Sequence, residues 1–159
     1  MEVAARWPER VSGLVLSGAT AEPVWPRSIL FQALAEVFER VDPAVLIAVN
    51  TWFFRARFPP AISEPIIAGG FHFPGGAAAL RSLVGERFIP RLAAYPGRTL
   101  ILNGEFDLLF RLPSAAFARA ATDARRVRIP GATHLTNIDQ PAHVTAAIRR
   151  FAREVVGSA

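Results

Sequence analysis

Two short polar stretches hold the residue types that acid–base chemistry needs. Asn103-Gly104-Glu105-Phe106-Asp107 follows directly on the apolar run Thr99-Leu100-Ile101-Leu102, and Gly131-Ala132-Thr133-His134 follows closely on Arg126-Val127-Arg128-Ile129. A carboxylate that accepts the Nδ1–H of a histidine fixes the ring's tautomer and stabilises its protonated form. Asp107 and His134 are the candidates for that pair, and Glu105 competes with Asp107 for the acid role. Taken alone, Asp107 also reads as a turn or helix-capping residue, and His134 as a structural histidine. Of the other histidines, His72 lies in Phe-His-Phe-Pro and can line a pocket, and His143 falls in the first turn of the last helical pattern, facing solvent. There is no cysteine, so no thiolate nucleophile, disulfide or cysteine metal site exists.

To meet, Asp107 and His134 must be carried by neighbouring strands. Three short apolar runs supply them: Leu14-Val15-Leu16 between Gly13 and Gly18, Thr99 to Leu102, and Arg126 to Ile129. Short continuous apolar runs suit strands buried on both faces, as in a parallel sheet. The third run alternates and belongs nearer an edge. A helical pattern over 113–121 lies between the second and third runs. Another over 141–156 follows, with Val144, Ile148, Phe151 and Val155 on one face. Strand–helix–strand–helix order over 98–156 predicts an α/β fold with right-handed crossovers. Strands of one sheet lie about 4.8 Å apart and open sheets form sites at strand carboxyl ends, so the two polar stretches are placed to converge.

The segment 19–97 differs. It carries most of the aromatics and prolines, among them Trp25, Trp52, Phe53, Phe54, Phe71 and Phe73. Leu30, Leu34, Val37, Phe38 and Val41 mark one helix, Pro43 opens a second that runs through Trp52, and 76–93 holds a weaker third. An excursion of this length between two strands reads as a helical lid over one edge of the sheet.

The 159 residues are 52% hydrophobic and 19% charged, with a mean hydropathy of +0.29, which excludes a disordered chain. Net charge is +5 and every one of the 18 basic residues is arginine. The arginines are scattered from Arg6 to Arg153 without a basic tract or interleaved aromatics, so no nucleic-acid partner is expected. No apolar run approaches the roughly 20 residues of a membrane span. The first residues lack the pattern of a secretory signal. The expected location is therefore cytoplasmic, with no membrane partner.

Together these segments resemble a known family. Arg98-Thr99-Leu100-Ile101-Leu102-Asn103-Gly104-Glu105-Phe106-Asp107 is similar to the late-strand acid motif of α/β-hydrolases. Ile129-Pro130-Gly131-Ala132-Thr133-His134-Leu135-Thr136-Asn137-Ile138-Asp139-Gln140-Pro141 is similar to that family's histidine loop, and Glu2 to Val11 resembles the helix after its nucleophile elbow. The resemblance implies a partial α/β-hydrolase fold: three C-terminal parallel strands with flanking helices in 1–18 and 98–159, and a helical cap in 19–97. It implies Asp107 and His134 as catalytic residues. It also implies Trp25, Trp52, Phe53 and His72 as the lining of a pocket for a small hydrophobic substrate. No metal or cofactor is implied.

One departure matters. The family nucleophile sits in G-x-S-x-G, and that motif does not occur here. Ser17 ends the first strand, the wrong place for an elbow, and reads as a turn residue. The expectation is a truncated hydrolase that supplies a base and an acid but no nucleophile and is inactive alone. An Asp nucleophile acting on an epoxide or haloalkane is an alternative for the parent, and a non-catalytic paralogue or split-enzyme partner is another. A bared sheet edge at Leu14 to Leu16 would favour self-association.

Overall fold

The computed structural model describes residues 1–157. Two compact units make it up, Met1–Glu22 with the chain from Arg87 onward, and Pro23–Glu86.

The first unit is built on a parallel sheet of three strands in the order β1 (Gly13–Ser17), β2 (Arg98–Gly104), β3 (Asp123–Ile129). Gly13 pairs with Arg98, and Arg98 with Asp123, so the three strands start together, and β2 and β3 run two residues past the end of β1. β2 is central, and from Thr99 to Gly104 every residue is buried. β1 and β3 are its edges. β3 starts three residues before its apolar run, because alternation with Arg126 and Arg128 outward suits an edge with one wet side. On one face Leu100, Leu102 and Ile129 pack with Val144 and Phe151 of α10 (Pro141–Val156). On the other, Leu16 and Ile101 pack with Leu92 of α6 (Ile89–Ala93) and Phe117 of α8 (Ser114–Ala120). A helix on each face is what a parallel sheet requires. The apolar seam of α10 is Val144, Ala147, Phe151 and Val155, while Ile148 is exposed. At 100° per residue Ile148 lies about 40° from Val144 on one side and Ala147 about 60° on the other, so the packed stripe is tilted toward the Ala147 side. Tyr95, before β2, is buried and donates its hydroxyl to the Val11 carbonyl at 2.8 Å. That burial pushes its phenol above the ordinary value.

The second unit is helical: α2 (Ser28–Arg40), α3 (Pro43–Arg57), α4 (Pro60–Ala68) and α5 (Phe73–Leu83). Asp42 caps α3 by accepting the Ala44 N–H at 2.8 Å, and Pro43 takes the first helical position. α2 and α5 pack closely through Phe31, Ala35, Phe73 and Ala77. Of the large residues that mark α2 in the sequence, Phe38 packs on Phe73 of α5 with ring centroids 5.3 Å apart, while Leu30, Leu34 and Val37 are exposed. Small alanines let two helix backbones approach, so they and not the leucines take the contact. The segment 76–93 is not one helix. Gly85 adopts φ +86 and separates α5 from α6.

The chain leaves and re-enters the sheet unit at adjoining points. Gly85 donates its N–H to the Pro23 carbonyl at 2.9 Å, and Ile89 donates to the Glu22 carboxylate at 2.8 Å.

Candidate active site

Asp107 follows the carboxyl end of β2 by three residues and His134 follows β3 by five. The turn after β2 is bonded to the loop after β3. Glu105 N–H donates to the Ile129 carbonyl at 3.0 Å and Phe106 N–H to Ala132 at 2.9 Å. Gly104 makes this approach possible, since a methyl group there would run into the carbonyls of Ala132 and Thr133. Asp139 in α9 (Thr136–Asp139) accepts both the N–H of Thr133 at 2.7 Å and its hydroxyl at 2.6 Å. The residue before the histidine is thereby held twice.

The result is contact between the two candidates. Asp107 Oδ2 lies 3.0 Å from His134 Nδ1. The Asp107 side chain is 5% exposed and that of His134 52%. Phe110 of α7 (Leu108–Arg111) stacks on the imidazole with centroids 4.5 Å apart. Gly18 lies against the ring's other surroundings. It adopts φ +57, and a methyl there would come within 3.0 Å of His134 Cε1. The buried hydroxyl of Thr20 donates to the Phe110 carbonyl and accepts from Asn103 Nδ2 at 3.1 Å, which fixes α7 to β2.

Glu105 is occupied elsewhere. Its Oε2 accepts the Gly131 N–H at 3.0 Å, so it braces the histidine loop and does not reach the ring. Ser17 Oγ shares a 2.9 Å hydrogen bond with Thr136 Oγ1. His143 lies exposed in the first turn of α10. Trp25, Trp52, Phe53 and His72 belong to the helical unit. Trp25 and Trp52 are 80% and 71% exposed. Phe53 stands edge-on to Phe54, and His72 precedes α5 with its ring beside Gly75. No hydrogen bond or ring contact joins any two of these four among the described residues. No group of three metal-ligating side chains occurs among them either, and no helix is long and apolar enough to cross a membrane.

The sequence reading assigned no role to Gly18, Phe110 or Asp139. A glycine directly after a strand was a signal for the first, and a carboxylate five residues past the histidine for the last. Phe110 carried none, because stacking depends on where α7 places it.

No family model matches the sequence, and no curated protein matches it. Solved structures do. A thermophilic esterase from Thermogutta terrifontis, crystallised with malate, is 29% identical and superposes with a TM-score of 0.72 over 96% of this chain and 59% of its own. MenH from S. aureus is 20% identical, with a TM-score of 0.73 over 96% of this chain and 63% of its own. The enol-lactonase from Burkholderia xenovorans LB400 is 18% identical, with a TM-score of 0.76 over 94% and 59%. The chain thus spans about three fifths of the length of these structures. Its three parallel strands and their flanking helices are the C-terminal part of theirs, and the protein has the α/β-hydrolase fold.

Proposed function

We propose that this chain is the acid–base portion of a hydrolase that cleaves an ester-like bond in a small hydrophobic substrate. The observation that carries the reading is the 3.0 Å contact between Asp107 Oδ2 and His134 Nδ1. With Nδ1–H held by the carboxylate, Nε2 is the nitrogen left to take a proton. A nucleophile supplied by polypeptide outside these 159 residues passes its proton to Nε2 as it attacks the carbonyl carbon. Asp107 stabilises the imidazolium that forms. The imidazolium returns the proton to the leaving alcohol, and His134 then takes a proton from water as the acyl group is released. The helical unit acts as a cap, with Trp25, Trp52, Phe53 and His72 lining an apolar pocket. The solved structures described as an esterase and an enol-lactonase support the reaction class.

The test begins with the DNA preceding the Met1 codon, where an in-frame G-x-S-x-G is expected. The longer product should hydrolyse p-nitrophenyl esters and lose about 10³-fold or more in kcat on His134→Ala. Residues 1–159 alone should show background turnover. Turnover by the short chain that vanishes in His134→Ala would overturn the division of labour. A stop codon immediately upstream would do the same.

A further inference from the structure

Beside the C-terminal half of β3 lies a cavity of about 250 Å³, lined by Asn103, Arg111, Ser114, Arg126, Val127 and Arg128. Three of its six residues are arginines, and they come from two elements, β3 and α7. Arg126 and Arg128 are two apart on β3, so they share one face. Arg111 ends α7, and its backbone carbonyl is held at 2.6 Å by the hydroxyl of buried Ser114.

These charges are poorly matched. Arg111 Nε is buried with no hydrogen-bond partner among the described residues. A buried donor left unpaired is costly, and such groups call for an explanation. Arg126 pairs with no carboxylate among the described residues. Arg128 has a loose 3.7 Å ion pair with Glu105, whose other oxygen is engaged by Gly131. The next carboxylate along the chain, Asp107, is taken up by His134. Like charges around one cavity repel, and an anion in it would relieve the repulsion. A guanidinium presents its donors in a fork that fits a tetrahedral oxyanion, and three of them favour a group carrying nearly two charges over a single carboxylate.

We propose that this cavity binds a phosphate group, as the free ion or as the head of a small phosphate ester. Neither Asp107 nor His134 lines the cavity, and the proposal stands whether or not that pair is catalytic.

The Arg111 Nε–Hε signal reports on it directly. In ¹⁵N-labelled protein at constant ionic strength, titration with inorganic phosphate should shift this signal saturably. The double variant R126Q/R128Q should weaken that binding at least tenfold, while R149Q on the exposed face of α10 leaves it unchanged. Backbone spectra check that each variant keeps its fold, and the single exposed change R126Q carries the test should the double variant unfold. Glycerol phosphate as a second titrant separates the sources: tighter binding than inorganic phosphate assigns an ester, equal or weaker binding the free ion. No saturable shift at Arg111, undiminished phosphate affinity in R126Q/R128Q, or acetate binding as tightly as phosphate would each overturn the proposal.

Discussion

His134 has two ring nitrogens, and Asp107 decides which one carries the proton. Free histidine in its neutral form favours the Nε2–H tautomer, whereas a carboxylate 3.0 Å from Nδ1 selects Nδ1–H. Nitrogen chemical shifts of neutral His134 should therefore show Nδ1 protonated, and Asp107→Ala should return the ring to the Nε2–H form. An unchanged tautomer in the variant would mean that Asp107 does not orient the ring. Gly104→Ala tests the approach of the two loops. Its methyl meets backbone carbonyls that cannot rotate away, so a cost of about 3 kcal/mol is expected. At roughly 2–4 °C per kcal/mol for a chain of this size, thermal unfolding should begin about 6–12 °C lower. That Asp107 and His134 could meet was legible in the sequence, because each follows a buried strand by a short turn. Asp107 was favoured there over Glu105. Glu105 is engaged by the Gly131 N–H, and no spacing rule gives the position of one backbone donor.

The strands, α8 and α10 were readable from apolar runs and their punctuation, since a parallel sheet buries its centre on both faces. The helical unit was less readable. α4 begins at Pro60 and holds Pro65 inside it, and proline-rich sequence does not announce a helix. Beside the Phe38–Phe73 ring contact, α2 and α5 bury Ala35 and Ala77, at 0% and 1% exposure, which a search for large apolar residues passes over. Ala35→Leu should therefore pry the two helices apart, costing about 1–3 kcal/mol and lowering the urea midpoint without changing the ring shifts of His134. A shift in those signals would mean the sheet unit had been disturbed as well. A second expectation concerns pH. Glu154 on α10 takes hydrogen bonds from Arg150 and from Arg125 of β3, and these hold its carboxyl below the ordinary 4.5. A lowered folded value means the stabilisation is complete above about 4.5 and fades as pH falls through the folded value. Because the Glu154 side chain is 38% exposed, salt should blunt the effect. The protection factor of the Val155 amide should fall on acidification below pH 4.5, and less so in Glu154→Gln.

At the scale of the molecule, the two edges of the sheet differ. β3 carries exposed Arg126 and Arg128, which discourage another strand from adding, whereas β1 is Gly-Leu-Val-Leu-Ser with no charge. Residues 1–159 should accordingly associate as concentration rises, seen as growing mass in sedimentation. A monodisperse monomer at high concentration would rule this out. The hydrogen bonds of Gly85 to Pro23 and of Ile89 to Glu22 carry a different consequence. The helical unit hangs on two chain crossings already clasped to each other, so a few residues can bridge them in its place. Neither Asp107, His134 nor any group that holds them lies between those crossings. Replacing Pro23–Glu86 by a short glycine–serine bridge should thus leave the His134 tautomer intact. On the proposed function, chemistry and selectivity would then be inherited separately: one body would keep the proton transfer, and the other could be exchanged, like the head of a tool on a fixed handle.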